Sequence, residues 1–190
     1  MQLDYKKFLS SYHPVSDEDF GLLFNELRRF SVKKGEPVLA EGKVQKELLF
    51  VFEGVQMAYF THEGKEHVMM FTYPHSLCAV ADSFLYQKPS EYTIKALTNS
   101  QFGAISFEKL NQLFDKSQQL ERLFRKMVEA QLCGLVLRHK EFHAYTIEER
   151  FRHFTKRSAH LFQLVPHKYI ANYLKIEPTN FSKLYNSICI

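Results

Sequence analysis

The chain changes its structural period once, near residue 106. Six of its seven glycines (21, 35, 42, 54, 64 and 103) precede residue 104, and four of them lie between 35 and 64, separating short apolar runs. Glycines spaced in this way punctuate strands. From Phe107 to Phe142 there is a single glycine, no proline, and an abundance of Leu, Glu, Gln, Lys and Arg, which is the composition of helix. The pattern predicts an α+β chain, with an antiparallel β unit first and helices after it.

Five runs read as strands: Leu48 to Phe52, Gln56 to Thr61, His67 to Phe71, Tyr92 to Leu97 and Gln101 to Ser106. All are short and rich in aromatic and β-branched residues, so an antiparallel sandwich or roll is expected. Thr61-His-Glu-Gly-Lys65 reads as a hairpin turn in which Gly64 takes a positive φ.

The 190 residues, 45% hydrophobic and 24% charged, suffice for one average domain or two small ones without disulfide or metal staples. Cys78, Cys133 and Cys189 are too far apart for a C-x-x-C knuckle and too few for a disulfide framework, which suits a reducing, cytoplasmic compartment. Residues 1–10 mix Asp4, Lys6 and Lys7 with apolar side chains, and no apolar run approaches the ~18 residues of a spanning helix. Neither secretion nor a membrane partner is expected. Residues 1–145 hold 18 basic and 18 acidic side chains, whereas 146–190 hold seven basic and three acidic, so the net charge of +4 is C-terminal. With His153, His160 and His167 nearby, that excess suits an anionic partner such as nucleic acid, or a merely solvated surface.

A short helix and then a long one, from about Ser117 to His143, are expected after Ser106. The long one would span about 40 Å, more than a small domain needs. Leu120, Phe124, Met127, Gln131, Gly134 and Arg138 form one stripe at heptad-like spacing, and Leu123, Val128, Leu132, Leu135 and Val136 populate other faces. One face is expected to cover the β unit and the stripe to meet a two-fold mate, unless a single domain buries the whole helix. Thr146-Ile-Glu-Glu149 is a capping box that starts a further helix, read through Ile147, Phe151, Phe154 and Leu161.

Residues 166–185 read as helix, three-residue turn, helix, with Pro166 and Pro178 in first turns. Ile170, Leu174, Ile176, Phe181 and Leu184 supply the locking contacts, with Ala171 small at the crossing. Thr179, Asn180, Ser182, Lys183 and Asn186 then face outward, a set suited to the major groove, although an αα-hairpin that merely packs has the same pattern. Lys175 occupies a turn position where glycine is common and is expected at positive φ.

In this order, β-roll, long helix and helix-turn-helix, the chain resembles the Crp/Fnr family of bacterial transcription regulators. The resemblance is carried by Lys34-Gly-Glu36, Gly42, Leu49-Phe-Val-Phe-Glu-Gly54, Glu63-Gly-Lys65, Ser90 to Leu97 and Val165 to Lys183. It implies a cyclic-nucleotide-binding-like roll (1–116), a central dimerisation helix (117–145) and a helix-turn-helix domain (146–190). Implied partners are double-stranded DNA, a second copy of the chain, a small-molecule effector and RNA polymerase. The effector pocket would draw on Cys78, Val80, Asp82, Ser90, Glu91 and Met127. In the family, a Gly-Glu turn and an Arg-Ser or Arg-Thr pair hold the cyclic nucleotide. Here those positions read Cys78-Ala-Val-Ala-Asp82 and Ser90-Glu91, so the ribose-binding carboxylate and phosphate-binding guanidinium are missing and Glu91 repels a phosphate. Cyclic AMP is therefore not the expected ligand. No cysteine precedes Cys78, so the iron-sulfur cluster of the family's oxygen sensors is not expected either.

Ile190 directly follows the recognition helix, which predicts little or no wing and fewer DNA contacts. Lys183 is suited to guanine, Asn180 to adenine and Thr179 to a thymine methyl or a phosphate. His167, Lys168, Ser182 and Tyr185 are suited to phosphates. No enzyme is expected: His62, His67 and His75 lack cupin spacing, no Walker, G-x-S-x-G or G-x-G-x-x-G run occurs, Cys189 has no nucleophile signature, and no metal or cofactor is implied. Cys78 reads as a buried small hydrophobe or, less readily, a redox thiol. The remaining alternative is a ligand- or protein-binding module of the same fold that has lost sequence-specific DNA binding.

Overall fold

A computed structural model describes residues 2–188; Cys189 and Ile190 lie outside the described residues. Helices α1 (Gln2–Ser10) and α2 (Asp17–Phe24) precede strands β1 (Arg28–Val32), β2 (Pro37–Leu39), β3 (Glu47–Glu53), β4 (Gln56–His62), β5 (Lys65–Thr72) and β6 (Leu77–Cys78). A short helix α3 (Ala81–Tyr86) leads to β7 (Thr93–Ala96) and β8 (Ser100–Ser106). The rest is helical: α4 (Phe107–Lys116), α5 (Gln118–Ala144), α6 (Ile147–Ser158), α7 (Leu161–Leu164), α8 (His167–Leu174) and α9 (Pro178–Ile188).

The strands form two four-stranded antiparallel sheets, ordered β1-β8-β3-β6 and β2-β7-β4-β5. The five runs read from sequence are β3, β4, β5, β7 and β8. Strands β1, β2 and β6 carry weaker patterns: β1 opens on two exposed arginines, β2 opens on a proline, and β6 is two residues long. Between β4 and β5, Glu63 (φ 51°) and Gly64 (φ 73°) are both left-handed, which gives the turn the twist of the strands it joins. Gly54 turns β3 into β4 at φ +86°, where a Cβ would lie 2.4 Å from Ser100 Oγ and 2.5 Å from the Asn99 carbonyl oxygen.

Three apolar clusters hold the molecule together. Leu39, Leu49, Val51, Ala58, Cys78, Val80, Ile94, Phe102 and Ala104 fill the space between the sheets. Tyr5, Leu9, Leu23, Phe50, Phe52 and Phe84 pack against Leu110, Leu113, Leu120, Leu123, Phe124 and Met127. The third cluster is shared: Val55, Met57, Val68 and Leu97 of the roll meet Phe151, Phe154, Phe162, Ile170, Leu174 and Phe181 of the C-terminal helices.

Serine hydroxyls begin the helices that follow the roll. Ser106 accepts from the Lys109 amide and Ser117 from the Leu120 amide, which separates α4 from α5 with a one-residue break. Thr146 and Glu149 form the expected capping box. Pro166 sits at the N-cap of α8 rather than inside its first turn, and Ile147 is largely exposed while Phe151, Phe154 and Leu161 are buried.

One expectation is corrected here. Leu120, Phe124 and Met127, assigned from spacing to a dimer face, are buried against the roll of the same chain together with Leu123. The first half of α5 lies on the roll, with the Phe124 ring 6.5 Å from Phe50, so these side chains are spent within the chain rather than on a mate. The second half carries its apolar side chains into solvent.

Candidate functional site

The polar surface at the C-terminus is built by α8 and α9. Helix α8 ends where Lys175 turns left-handed (φ 54°, ψ 47°). The Lys175 amide donates to the Asn172 carbonyl and the Ile176 amide to the Ala171 carbonyl, at 3.0 and 2.9 Å. This paired C-terminal closure normally uses glycine, and here a lysine takes the position. The turn Lys175-Ile176-Glu177 then delivers Pro178, the first residue of α9. Buried Ile170, Ala171, Leu174, Ile176 and Phe181 lock the two helices, and the Phe181 ring meets Phe151 edge-on at 5.4 Å.

With Phe181 pinned inward, Thr179, Asn180, Ser182, Lys183 and Asn186 occupy an exposed arc of roughly 160° on the opposite side of α9. The Ser182 hydroxyl donates back to the Pro178 carbonyl over 3.0 Å, leaving its lone pairs outward. The His167 and Tyr185 rings meet at a tilt with centroids 4.4 Å apart beside Phe162, His167 exposed and Tyr185 half-buried. Lys168 is exposed, its ammonium 4.9 Å from the Tyr169 ring centre. Two acidic groups nearby are paired, Glu148 with Arg152 and Glu141 with Arg138 at 2.9 Å with His153 and Arg157 around it, whereas Glu177 in the turn before α9 is exposed.

The expected effector residues are spread over two apolar clusters and the surface. Cys78 and Val80 are buried in the layer between the sheets, whereas Met127 lies in the cluster beneath α5. Burial pushes the Cys78 thiol up to about 11, which keeps it a neutral hydrophobe and argues against a reactive thiolate. Asp82 pairs with Lys88 at 3.0 Å, and the ammonium holds its carboxyl below the usual range. Glu91 is exposed, and the Ser90 hydroxyl spends its bonds on the main chain of Tyr92.

Buried Gln45 ties this segment together. Its amide nitrogen donates to the carbonyls of Glu47 and Cys78, its side-chain oxygen accepts from the Val80 amide at 2.7 Å, and its own main-chain amide donates to Ser83 Oγ. Ser83 Oγ in turn donates to the Lys88 carbonyl. The Val80 amide and the Ser83 hydroxyl are thus bonded within the protein, while Val80, at the N-cap of α3, provides no side-chain cap.

On α5 the exposed apolar residues are Val128, Leu132, Leu135, Val136 and Leu137, 58–61% exposed each. Val128, Leu132, Leu135 and His139 repeat at steps of four, three and four, a seam one-quarter turn away from the stripe read from sequence. Of that stripe only Gln131, Gly134 and Arg138 remain on the free half of the helix, and a Cβ at Gly134 would meet open space. The 4-3-4 spacing was the available signal for the seam. Asn172 and Gln45 gave none, because each acts on a strand or segment distant in sequence.

Residues 29–117, which include both sheets except the first residue of β1, match the family described as the cyclic nucleotide-binding domain. Solved structures extend the likeness to the helices. The catabolite activator protein of Thermus thermophilus is similar at 17% identity over 96% of this chain and 86% of that one, with a TM-score of 0.60. FixK2 of Bradyrhizobium japonicum is similar at 14% identity over 86% of this chain and 84% of that one, with a TM-score of 0.73. The global regulator CLP of Xanthomonas campestris, described as responsive to c-di-GMP, is similar at 13% identity over 92% of each chain, with a TM-score of 0.67. No curated protein matches by sequence. The chain therefore shares its fold with these three proteins, and among the described residues no helix is long and apolar enough to cross a membrane.

Proposed function

We propose that the chain is a DNA-binding transcription regulator of the Crp/Fnr type that acts as a homodimer on palindromic double-stranded DNA. The observation that carries this reading is the exposed arc Thr179, Asn180, Ser182, Lys183 and Asn186 on α9, backed by buried Phe181 and preceded by α8 and a three-residue turn. Such an arc reads base edges: Lys183 donates to guanine, Asn180 pairs with adenine, and Lys168 engages phosphate. The exposed seam Val128, Leu132 and Leu135 supplies the dimer contact. Half-sites then lie about one helical turn apart, roughly 34 Å. RNA polymerase is the further partner such a regulator implies.

The effector, if the roll takes one, is not cyclic AMP. Supporting this, Asp82 and Lys88 pair with each other, exposed Glu91 adds negative charge, and the Val80 amide is already taken by Gln45. The test is selection of bound sequences from random duplex DNA by the purified protein, with the enriched site titrated at two salt concentrations. A palindrome bound far more tightly than random DNA, and weakened by Lys183→Ala or Asn180→Ala, is the expected result. Failure to enrich any sequence, with and without metabolite extract, would overturn the reading in favour of a partner-binding module.

A further inference from the structure

We propose that His139 and His143 form half of a transition-metal site that a second copy of the chain completes across α5. This inference rests on the dimeric reading above. The two imidazoles stand one turn apart on α5, both exposed, with ring centroids 4.2 Å apart. Histidines at i and i+4 lie on one helix face and can chelate a single ion. Two ligands fall short of the four that enclose a structural ion, and among the described residues one chain gathers no group of three or more metal-ligating side chains.

The missing ligands come from symmetry. His139 continues the seam Val128, Leu132 and Leu135 in the same 4-3-4 rhythm, so a parallel two-fold pairing along that seam sets His139 of one chain against His139 of the other. Each His143 then flanks the pair one turn further on, giving four neutral nitrogen ligands. Imidazole sets of this kind select zinc, nickel or copper over calcium and magnesium, which need oxygen.

Of the charged groups nearby, Lys140 is exposed three residues before His143, and the others are paired or lie over a ring. Arg138 is held by Glu141 at 2.9 Å, and Glu141 faces His153 and Arg157 of α6. Arg150 and Lys175 lie over the opposite neighbour, Phe142. A second histidine pair, His62 and His67, stands on the β4–β5 hairpin at 6.4 Å within one chain. Binding there would load one ion per chain, whereas the α5 site loads one per two chains.

The decisive experiment is titration of the tag-free, full-length protein with zinc alone, with mass determined by sedimentation in parallel. One ion per two chains, a dimer tightened by zinc, and a tetrahedral absorption band on cobalt substitution are expected. Either His139→Asn or His143→Asn should weaken the site by more than about 10-fold, the loss seen when even an outer-shell partner is removed. A stoichiometry of one ion per chain, or binding indifferent to both substitutions, would overturn the site. A dimer that Leu132→Glu disrupts but that takes up no zinc defeats the metal site alone. A monomer with and without zinc defeats the dimeric reading as well.

Discussion

The carboxamide of Asn172 meets the edge of β5 at Val68, whose amide donates to Oδ1 over 2.8 Å. Its Nδ2 donates to the Glu66 carbonyl, also over 2.8 Å, so one side chain on α8 behaves as a paired strand toward the open edge of the second sheet. Phe71 against Tyr173 at 5.4 Å and Tyr73 against His160 at 4.7 Å extend the same junction. The helix preceding the outward arc is therefore fastened directly to the roll. Asn172→Ala removes both bonds and is expected to cost about 1–3 kcal/mol in urea unfolding, with faster hydrogen exchange at the Val68 amide. Unchanged exchange at Val68 would show that the bond is not made in solution.

Residues on the two sides of α9 should separate stability from recognition. Phe181→Ala opens a cavity among Phe151, Phe162 and Ile170 and is expected to cost about 3–5 kcal/mol. Lys183→Ala and Thr179→Ala, on the exposed arc, should leave unfolding within about 0.5 kcal/mol of the parent. A chemical denaturation series on the three variants tests the division.

The seam on α5 predicts its own disruption. Leu132 is 61% exposed in the single chain, so Leu132→Glu should leave the circular dichroism spectrum and the fold intact. The same change should convert the protein from dimer to monomer in sedimentation velocity, because it places two carboxylates face to face in an apolar contact. Leu120→Glu, at a buried position, should instead unfold the chain.

Alkaline pH should weaken the fold. Burial raises the Cys78 thiol to about 11, above its ordinary value of 9.0, so between these limits the unfolded chain loses a proton that the folded chain keeps. Fewer protons bound in the unfolded state make stability fall as pH rises, by about 1–3 kcal/mol over the window. Buried Tyr5, also raised, acts in the same direction at higher pH. Unfolding free energies measured from pH 8 to 11, approximate limits of that window, should fall more gently in Cys78→Ala than in the parent.

Gly54 tolerates no side chain. At φ +86°, with main-chain atoms of Asn99 and Ser100 inside 3 Å of a new Cβ, Gly54→Ala combines backbone strain with a clash that cannot relax by rotation. A loss of about 1–3 kcal/mol or more is expected in thermal unfolding, whereas Gly64→Ala, with open space around it, should cost less.

Local patterns in the sequence determined a good deal of this protein. Short-range signals placed β3, β4, β5, β7 and β8, the hairpin at Gly64, the capping box at Thr146 and the left-handed Lys175, because each depends on backbone geometry within a few residues. The outward arc on α9 was legible for the same reason: helical spacing fixes which side chains oppose Phe181. Only the tertiary structure decided which face of α5 the roll covers. Leu120 and Val128 are both apolar, and their fates differ because Leu120 joins a cluster built with residues distant in sequence, Phe50 and Phe84 among them, while Val128 stays exposed. The same holds for Gln45 and Asn172, whose amides reach Cys78 and Glu66, 33 and 106 residues away. It holds too for Met127, which packs beneath α5 rather than beside Cys78. Periodicity shows that a face must be buried; what buries it is set by long-range packing that no local pattern encodes.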